Sequence, residues 1–200
     1  MARFNSVQHT EAFAAGRGFP KIHDNIFNLI AETWTGGSFI DVCCSTGLLG
    51  QRLIDKLGVM CCGLEGDAEA IANGKAHGVH MFIYQLLLDD RSLGGFSRIL
   101  RDHDVNTVVM RRCVSELFAK GMPLGVGNTV QTELKPEFAA QYVDALLGAG
   151  VNEIYLQGRA ESASSKHIIP NVEAEIEFFL PQYSVRVKRG QCAYLRRMER

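Results

Sequence analysis

Short β-like runs alternate with helical stretches along most of this chain, and this alternation restricts the fold more than any other feature. Strands that are joined by helices form parallel sheets with helices on both faces, because parallel neighbours need a long crossover. The last two β-like runs, Tyr183–Arg189 and Cys192–Arg197, are instead separated by only Gly190 and Gln191. So short a link is typical of a β-hairpin. The sequence therefore predicts an α/β fold with a doubly wound, mostly parallel sheet and an antiparallel C-terminal hairpin strand.

Periodicity and turn residues predict where the individual elements lie. Predicted helices cover residues 21–33, 48–57, 67–77, 91–101, 115–120, 136–147 and 172–180. Predicted strands before the hairpin cover residues 38–43, 59–64, 79–85, 106–110 and 151–156. No composition shift or linker divides them, so we expect one domain.

The composition is that of a globular domain. The chain has 200 residues, of which 46% are hydrophobic and 22% are charged. It has no run of about 18 apolar residues that could cross a membrane, and residues 1–17 lack the apolar core of a secretory signal. The six cysteines include two vicinal pairs, which make a poor disulfide or metal framework. We expect reduced, buried thiols in a cytoplasmic protein, with no metal site.

Basic residues are concentrated at the C-terminus. The net charge of the whole chain is −1, yet residues 181–200 contain six basic residues and one acid. The predicted hairpin is therefore strongly basic. Two interpretations are open: a solvated face, or a contact surface for a polyanion such as a nucleic acid.

The stretch after the first predicted strand carries the information about function. Asp41 lies in that strand, and the small residues Cys43, Ser45 and Gly47 mark the turn into the next helix. In open α/β sheets ligands bind at the carboxyl ends of strands, beside such turns. Glu65 follows Gly47 by eighteen residues at the end of the second strand, where a carboxylate can accept hydrogen bonds from both ribose hydroxyls.

Three nucleoside ligands fit this general position. A nucleoside triphosphate needs a G-x-x-x-x-G-K-[ST] run, which the chain lacks. A nicotinamide dinucleotide needs glycines for its pyrophosphate, and Cys43 and Ser45 stand in their place. S-adenosylmethionine has no phosphate and carries an ammonium group that an acid at Asp41 can bind. The pattern favours S-adenosylmethionine.

Here the sequence resembles the class I S-adenosylmethionine-dependent methyltransferases. Their first motif reads acid-x-Gly-x-Gly-x-Gly, and this chain has Asp41-x-Cys43-x-Ser45-x-Gly47. The order of elements agrees from about residue 20 to residue 197. The resemblance implies a seven-stranded sheet of order 3-2-1-4-5-7-6 with strand seven antiparallel. It also implies a single domain over residues 1–200, in which residues 1–37 cover the site.

The resemblance further implies S-adenosylmethionine as the cofactor and a set of residues that hold it. These are Asp41, Cys43, Ser45, Gly47, Glu65, Gly66, Gln85, Leu86 and Arg111. Adenine is held after the third strand in this family, and Asp89 is an alternative to Gln85 and Leu86 there. Two plainer interpretations also stand: Asp41 caps the following turn, or Glu65 is an ordinary acid at a helix N-terminus.

In the same family the methyl acceptor lies over the loop after the fourth strand, here residues 111–116. Enzymes that methylate DNA bases have Asp/Asn-Pro-Pro-aromatic or Pro-Cys motifs at this place, and this chain has neither. We therefore expect a small-molecule or protein acceptor. Glu116 is the candidate general base, and Arg112 is the candidate catalytic arginine beside Arg111.

Other functions are compatible with the same fold, because fold does not decide chemistry. One is a degenerate methyltransferase fold that serves as a binding protein. Another is an enzyme that consumes S-adenosylmethionine by a different reaction. A third is an RNA methyltransferase that uses the basic hairpin.

Overall fold

The computed structural model describes residues 23–86, 93–110, 136–157, 180–189 and 192–199. Within these residues the helices are α1 (Asp24–Thr33), α2 (Leu48–Leu57), α3 (Ala68–Ala76), α4 (Leu93–Asp102) and α5 (Pro136–Gly148). The strands are β1 (Ser38–Val42), β2 (Met60–Glu65), β3 (Phe82–Gln85), β4 (Val105–Met110), β5 (Glu153–Gln157), β6 (Tyr183–Arg189) and β7 (Cys192–Arg197).

The seven strands form one sheet in the order β3-β2-β1-β4-β5-β7-β6. Strands β1 to β5 run parallel to one another, whereas β7 is antiparallel to both β5 and β6. The predicted fold class and strand order are therefore confirmed. The strand order reverses between β1 and β4, and the carboxyl ends of these two strands border the crevice where ligands bind in such sheets.

Successive side chains of a strand lie on opposite faces of the sheet, and helices cover both faces. Ile40 and Val42 of β1 lie in a core cluster that includes Phe96 of α4 and Leu146 of α5. Phe39 points to the opposite face, where it packs with α1 and α2. Because both faces of the sheet are buried under helices, the parallel strands read as almost continuous apolar runs.

Helix α1 belongs to the predicted N-terminal cover. Its residues Ile26, Leu29 and Ile30 are buried against the sheet. Arg52 of α2 lies 2.6 Å from the Asp24 carboxylate and stacks 4.0 Å from the centre of the Phe27 ring. The helix is thus packed on the sheet face, and residues 1–22 of the predicted cover lie outside the described residues.

Two tyrosine hydroxyls attach the hairpin to the rest of the sheet. Tyr194 of β7 donates a hydrogen bond of 2.8 Å to the buried carboxylate of Glu153, and its ring stacks on that of Tyr155. Tyr183 of β6 donates a 2.8 Å bond to the carbonyl of Val151. The hairpin is therefore an integral part of the sheet rather than an appendage.

Most described boundaries agree with the sequence prediction to within one residue, and three differences have a structural interest. The third strand was expected from residue 79, but β3 begins at Phe82. The cause is Gln51 of α2, whose side-chain oxygen accepts hydrogen bonds from the backbone of His80 and Met81 at 2.7 and 2.9 Å. These two amides are thereby removed from strand pairing.

The other differences concern ends of elements. Strand β5 starts at Glu153 rather than at residue 151, and the Val151 amide instead bonds the Leu146 carbonyl near the end of α5 at 3.0 Å. Leu180 is buried but not helical, whereas the last predicted helix included it. The predicted helix at 115–120, residues 172–179 of the last helix and the link at 190–191 lie outside the described residues.

The cysteines behave as small apolar residues. No disulfide joins the five described cysteines. Burial raises the pKa of the Cys192 thiol to about 11, so it stays protonated at neutral pH.

Among the described helices, none is long and apolar enough to cross a membrane.

Helix α3 approaches the turn after β1 so closely that only glycine fits between them. A Cβ on Gly74 would lie 2.1 Å from the backbone oxygen of Thr46. We expect Gly74→Ala to lower the free energy of unfolding by about 1–3 kcal/mol, as overpacking does. Chemical denaturation measures this change. The matched control is Gly94→Ala in α4, where an added Cβ meets no atom of the described residues within 4 Å. A loss of stability there as large as that at Gly74 would refute the packing argument.

Candidate functional site

The candidate site lies at the carboxyl ends of β1, β2 and β3. Residues 43–47 connect β1 to α2 there and form what we call the β1–α2 loop. Glu65 ends β2 and pairs in register with Gln85, which ends β3. The topology thus places the loop and the carboxyl ends of two neighbouring strands side by side.

The backbone of the β1–α2 loop has a conformation that glycine adopts most easily. Cys43, Ser45 and Gly47 have φ angles of +55°, +56° and +85°. Each occupies a glycine position of the motif that the sequence resembles. Residues with a Cβ adopt this left-handed region at a cost of roughly 1–2 kcal/mol. All three motif positions therefore have a left-handed backbone, although only one of them is a glycine.

Hydrogen bonds hold this strained loop in place. The Ser45 amide donates a 2.7 Å bond to Oε2 of Glu65. The Cys44 amide donates a 3.1 Å bond to the Leu64 carbonyl, and the Gly47 amide donates a 3.0 Å bond to the Cys44 carbonyl. Three of the loop's amides are thus accepted by β2 or by the loop itself.

Close packing from one side complements the hydrogen bonds. Cys44 and Thr46 are buried, whereas Cys43 and Ser45 are half-buried. A Cβ on Gly47 would lie 2.9 Å from Cδ1 of Ile83, and one on Gly63 would lie 2.6 Å from Sγ of Cys44. The loop therefore packs closely against β2 and β3. The side chains of Cys43 and Ser45 lie on the more exposed side of the loop.

Glu65 connects three segments through its carboxylate and its backbone carbonyl. Oε2 accepts the Ser45 amide, and Oε1 accepts the Asp67 amide at 2.9 Å. The Glu65 carbonyl accepts the amide of Leu86, just after β3, at 3.0 Å. Asp67 itself caps α3 by accepting the Glu69 amide at 3.0 Å. Glu65 is therefore not an ordinary acid in the first turn of the helix. Each of its oxygens retains acceptor capacity for a further hydrogen bond.

Asp41 lies deep in the sheet. It is 0% exposed and pairs in register with Gly63 of β2 and Val109 of β4. Burial, with the negative charge of Asp41 as a second cause, raises the pKa of the Cys62 thiol to about 11. The Cys62 thiol is therefore protonated at neutral pH.

Eight predicted cofactor-binding residues lie at or beside the carboxyl ends of β1, β2 and β3. They are Asp41, Cys43, Ser45, Gly47, Glu65, Gly66, Gln85 and Leu86. The predicted acceptor loop with Arg111, Arg112 and Glu116, and the alternative adenine residue Asp89, lie outside the described residues. Within the described part of the chain, no group of three or more His, Cys, Asp or Glu side chains is placed to hold a metal ion.

The sequence did not indicate that Gln51 and Gly74 support the elements around the site. Gln51 orders the entry to β3, and Gly74 lets α3 approach the loop. A glycine inside a predicted helix was a signal for close approach that could have been used. No local signal indicated that Glu65 would hold the Ser45 amide.

Solved structures of other proteins share this architecture. Magnesium protoporphyrin IX methyltransferase from Synechocystis PCC 6803, with bound SAM, matches with a TM-score of 0.52 at 14% identity, over 96% of this chain and 84% of that one. The 16S rRNA methylase ArmA matches with a TM-score of 0.53 at 11% identity, over 88% and 82%.

A third structure comes from work on the conversion of a disulfide bond into a thioacetal group during echinomycin biosynthesis. It matches with a TM-score of 0.54 at 12% identity, over 86% of this chain and 80% of that one. No protein-family model matches the sequence, and no curated protein matches it significantly. These likenesses show the fold: the chain has the class I methyltransferase fold, as its sequence predicted.

The bonds to Glu65 give a prediction about stability without any ligand. In Glu65→Gln one of the two backbone amides faces an NH₂ group instead of an oxygen. We expect a loss of about 1–3 kcal/mol in the free energy of unfolding, the range for removing one partner of a hydrogen bond. Chemical denaturation of the ligand-free protein measures it.

The matched control is Glu69→Gln, which changes an exposed carboxylate in the first turn of α3. Surface substitutions of this kind change stability by less than about 0.5 kcal/mol. Equal effects of the two substitutions would show that the Glu65 carboxylate does not support the loop.

Proposed function

We propose that this protein binds S-adenosylmethionine at the β1–α2 loop and transfers its methyl group to an acceptor. The observation that carries the proposal is the retained shape of the loop beside an acid at the end of β2. The fold supports it, since the matching structures include a methyltransferase with bound SAM and an rRNA methylase.

The groups at the site fit the chemical parts of this cofactor. Glu65 retains acceptor capacity for ribose hydroxyls. The buried Asp41 lies near the carboxyl end of β1, and in its ionised form it provides the negative charge that the ammonium group of the cofactor requires. The small side chains of Cys43 and Ser45 leave less room than glycines for a pyrophosphate, which argues against a dinucleotide.

The cofactor supplies an electrophilic methyl group on a sulfonium. The contribution of the chain is to bind and orient the reactants and to exclude water, which supply most of the rate in such displacements. We place the acceptor at residues 111–116 with Glu116 as the general base and Arg111 and Arg112 as anion-binding groups. A small molecule or a protein is the proposed acceptor.

Calorimetry with S-adenosylmethionine and S-adenosylhomocysteine tests the binding step. We expect both to bind, and Asp41→Asn and Glu65→Ala each to weaken binding by about 1–3 kcal/mol, because a charged acceptor is lost. Melting curves of each variant separate weaker binding from lost stability. Folded wild-type protein that binds neither compound would contradict the proposal. Binding without methyl transfer to any acceptor, or cofactor breakdown without an acceptor, would favour the binding-protein or the alternative-reaction interpretation.

The basic hairpin supports RNA as a second candidate acceptor. Arg186 of β6 and Arg196 of β7 are both exposed. Arg189 is engaged in an ion pair with Glu32 and contributes less. A pair of exposed arginines beside a sheet edge can contact phosphates.

For this candidate the salt dependence of binding is the decisive measurement. We expect single-stranded RNA to bind with an affinity that falls steeply with salt, because binding releases counterions. The double variant Arg186→Gln/Arg196→Gln should reduce the slope of log K against log salt by about 1–2. Arg101→Gln, an exposed change on α4, is the control. Absence of RNA binding at low salt would leave the hairpin as a solvated face, and equal binding of DNA would remove RNA as the preferred partner.

A further inference from the structure

The two edges of the described sheet differ in how they are protected against pairing with another chain. An edge strand presents N–H and C=O groups that can pair with a further strand, and proteins protect such edges with charged residues or irregular register. Edge strand β6 has both devices, because Arg186 and Lys188 are exposed and its register with β7 is irregular. Edge strand β3 has no charged residue and pairs with β2 in regular register. The β3 edge is therefore the less protected of the two.

Large apolar side chains are exposed next to the β3 edge. Phe82 of β3 is 61% exposed and Met60 of β2 is 74% exposed. Both lie on the same face of the sheet, because Phe82 pairs in register with Cys62, two residues after Met60. The Phe82 ring lies 4.7 Å from that of Tyr84, which in turn contacts the ring of His103. Exposed apolar patches of this kind mark interaction surfaces.

The backbone of β3 decides which of its residues can pair with a further strand. The Leu86 amide, just after β3, donates to the Glu65 carbonyl of β2. Successive residues of a strand direct their backbone groups to opposite sides, so those of Ile83 point away from β2. In an antiparallel pair, residues that exchange backbone hydrogen bonds alternate with residues whose side chains approach more closely. With Ile83 at a hydrogen-bonded position, Phe82 and Tyr84 occupy the close positions.

The β3 edge is complementary to itself. When Ile83 pairs antiparallel with Ile83 of a second copy, Phe82 of each copy lies opposite Tyr84 of the other. This arrangement makes two aromatic cross-strand pairs, which stabilise antiparallel strands. A twofold axis also brings identical residues together, so a charged strand would repel its own copy there. The uncharged β3 avoids that repulsion.

The charges of helix α3, which packs on β2 and β3, fit the same arrangement. The first turn of α3 contains the acid Glu69, its last turn contains the base Lys75, and both residues are exposed. The twofold axis between two antiparallel strands is perpendicular to the sheet. The α3 helices of the two copies therefore lie on the same face and run antiparallel. The acidic end of each helix is then directed toward the basic end of the other.

We infer that the β3 edge is a homodimer interface, in which two copies pair their β3 strands antiparallel and join their sheets into one. Because β3 has only four residues, the paired length is short and the interface belongs to the weak class below about 1,200 Å². We expect a dissociation constant of about 10–100 µM. The inference does not require that the protein binds a cofactor.

Sedimentation velocity over a concentration series from about 1 to 500 µM tests the inference. We expect the mass of the sedimenting species to rise from that of one chain to twice that value. Phe82→Lys should raise the dissociation constant at least about 10-fold, because it removes two aromatic pairs and adds charge to the edge. The matched control, Val185→Lys, adds the same charge at an exposed valine of the β6 edge and should leave the constant unchanged. Melting curves of both variants check that they fold.

A charge reversal tests the relative orientation of the two copies. Glu69→Lys should weaken the dimer about 3- to 10-fold, because like charges then meet at each of two symmetric places. The double variant Glu69→Lys/Lys75→Glu should restore the dissociation constant of the wild type. A double variant that stays as weak as Glu69→Lys would overturn the antiparallel arrangement.

Three further results would overturn the inference. A wild type that stays monomeric up to about 500 µM would show that no second copy occupies the edge, and would leave it to an extended segment of another protein. A dimer that Phe82→Lys does not weaken would place the interface elsewhere on the molecule. Equal weakening by Phe82→Lys and Val185→Lys would show that added charge in general, rather than the loss of the β3 contact, prevents association.

Discussion

The hydrogen bond between the Ser45 amide and the Glu65 carboxylate is the interaction on which the candidate site depends. Glu65 also accepts the Asp67 amide, and its carbonyl accepts the Leu86 amide. The end of β2 therefore positions the β1–α2 loop on one side and the segments before α3 and after β3 on the other. A single residue type, an acid with two acceptor oxygens, is needed there for structural reasons before any ligand is considered.

The fold could be predicted because its signals are local and repeated. Apolar runs and helical stretches bounded by Gly and Pro predicted the crossovers, and the two-residue link between the last two strands predicted the hairpin. The predicted start of β3 was wrong, and its cause is not visible in any local sequence pattern. The Gln51 side chain, about thirty residues earlier, takes the amides of His80 and Met81 out of the ladder.

The position of the site could be predicted, but its conformation could not. Asp41, Ser45 and Glu65 lie where strand ends were expected. Cys and Ser disfavour a left-handed backbone, so the residue types at positions 43 and 45 do not predict that conformation. It is imposed from outside the loop, by a carboxylate twenty positions later in the chain and by the packing of Cys44 against Gly63.

This distinction bears on what the replaced glycines mean. A glycine-rich motif describes two separable requirements: a left-handed backbone, and empty space where other elements approach. In this chain the first requirement is met with side chains present at Cys43 and Ser45. The second is met by glycines elsewhere, since Gly63 and Gly74 make room for Cys44 and for the Thr46 carbonyl. Side chains at Cys43 and Ser45 are therefore compatible with a left-handed loop backbone, so the departure from the motif is not by itself a sign of a lost site.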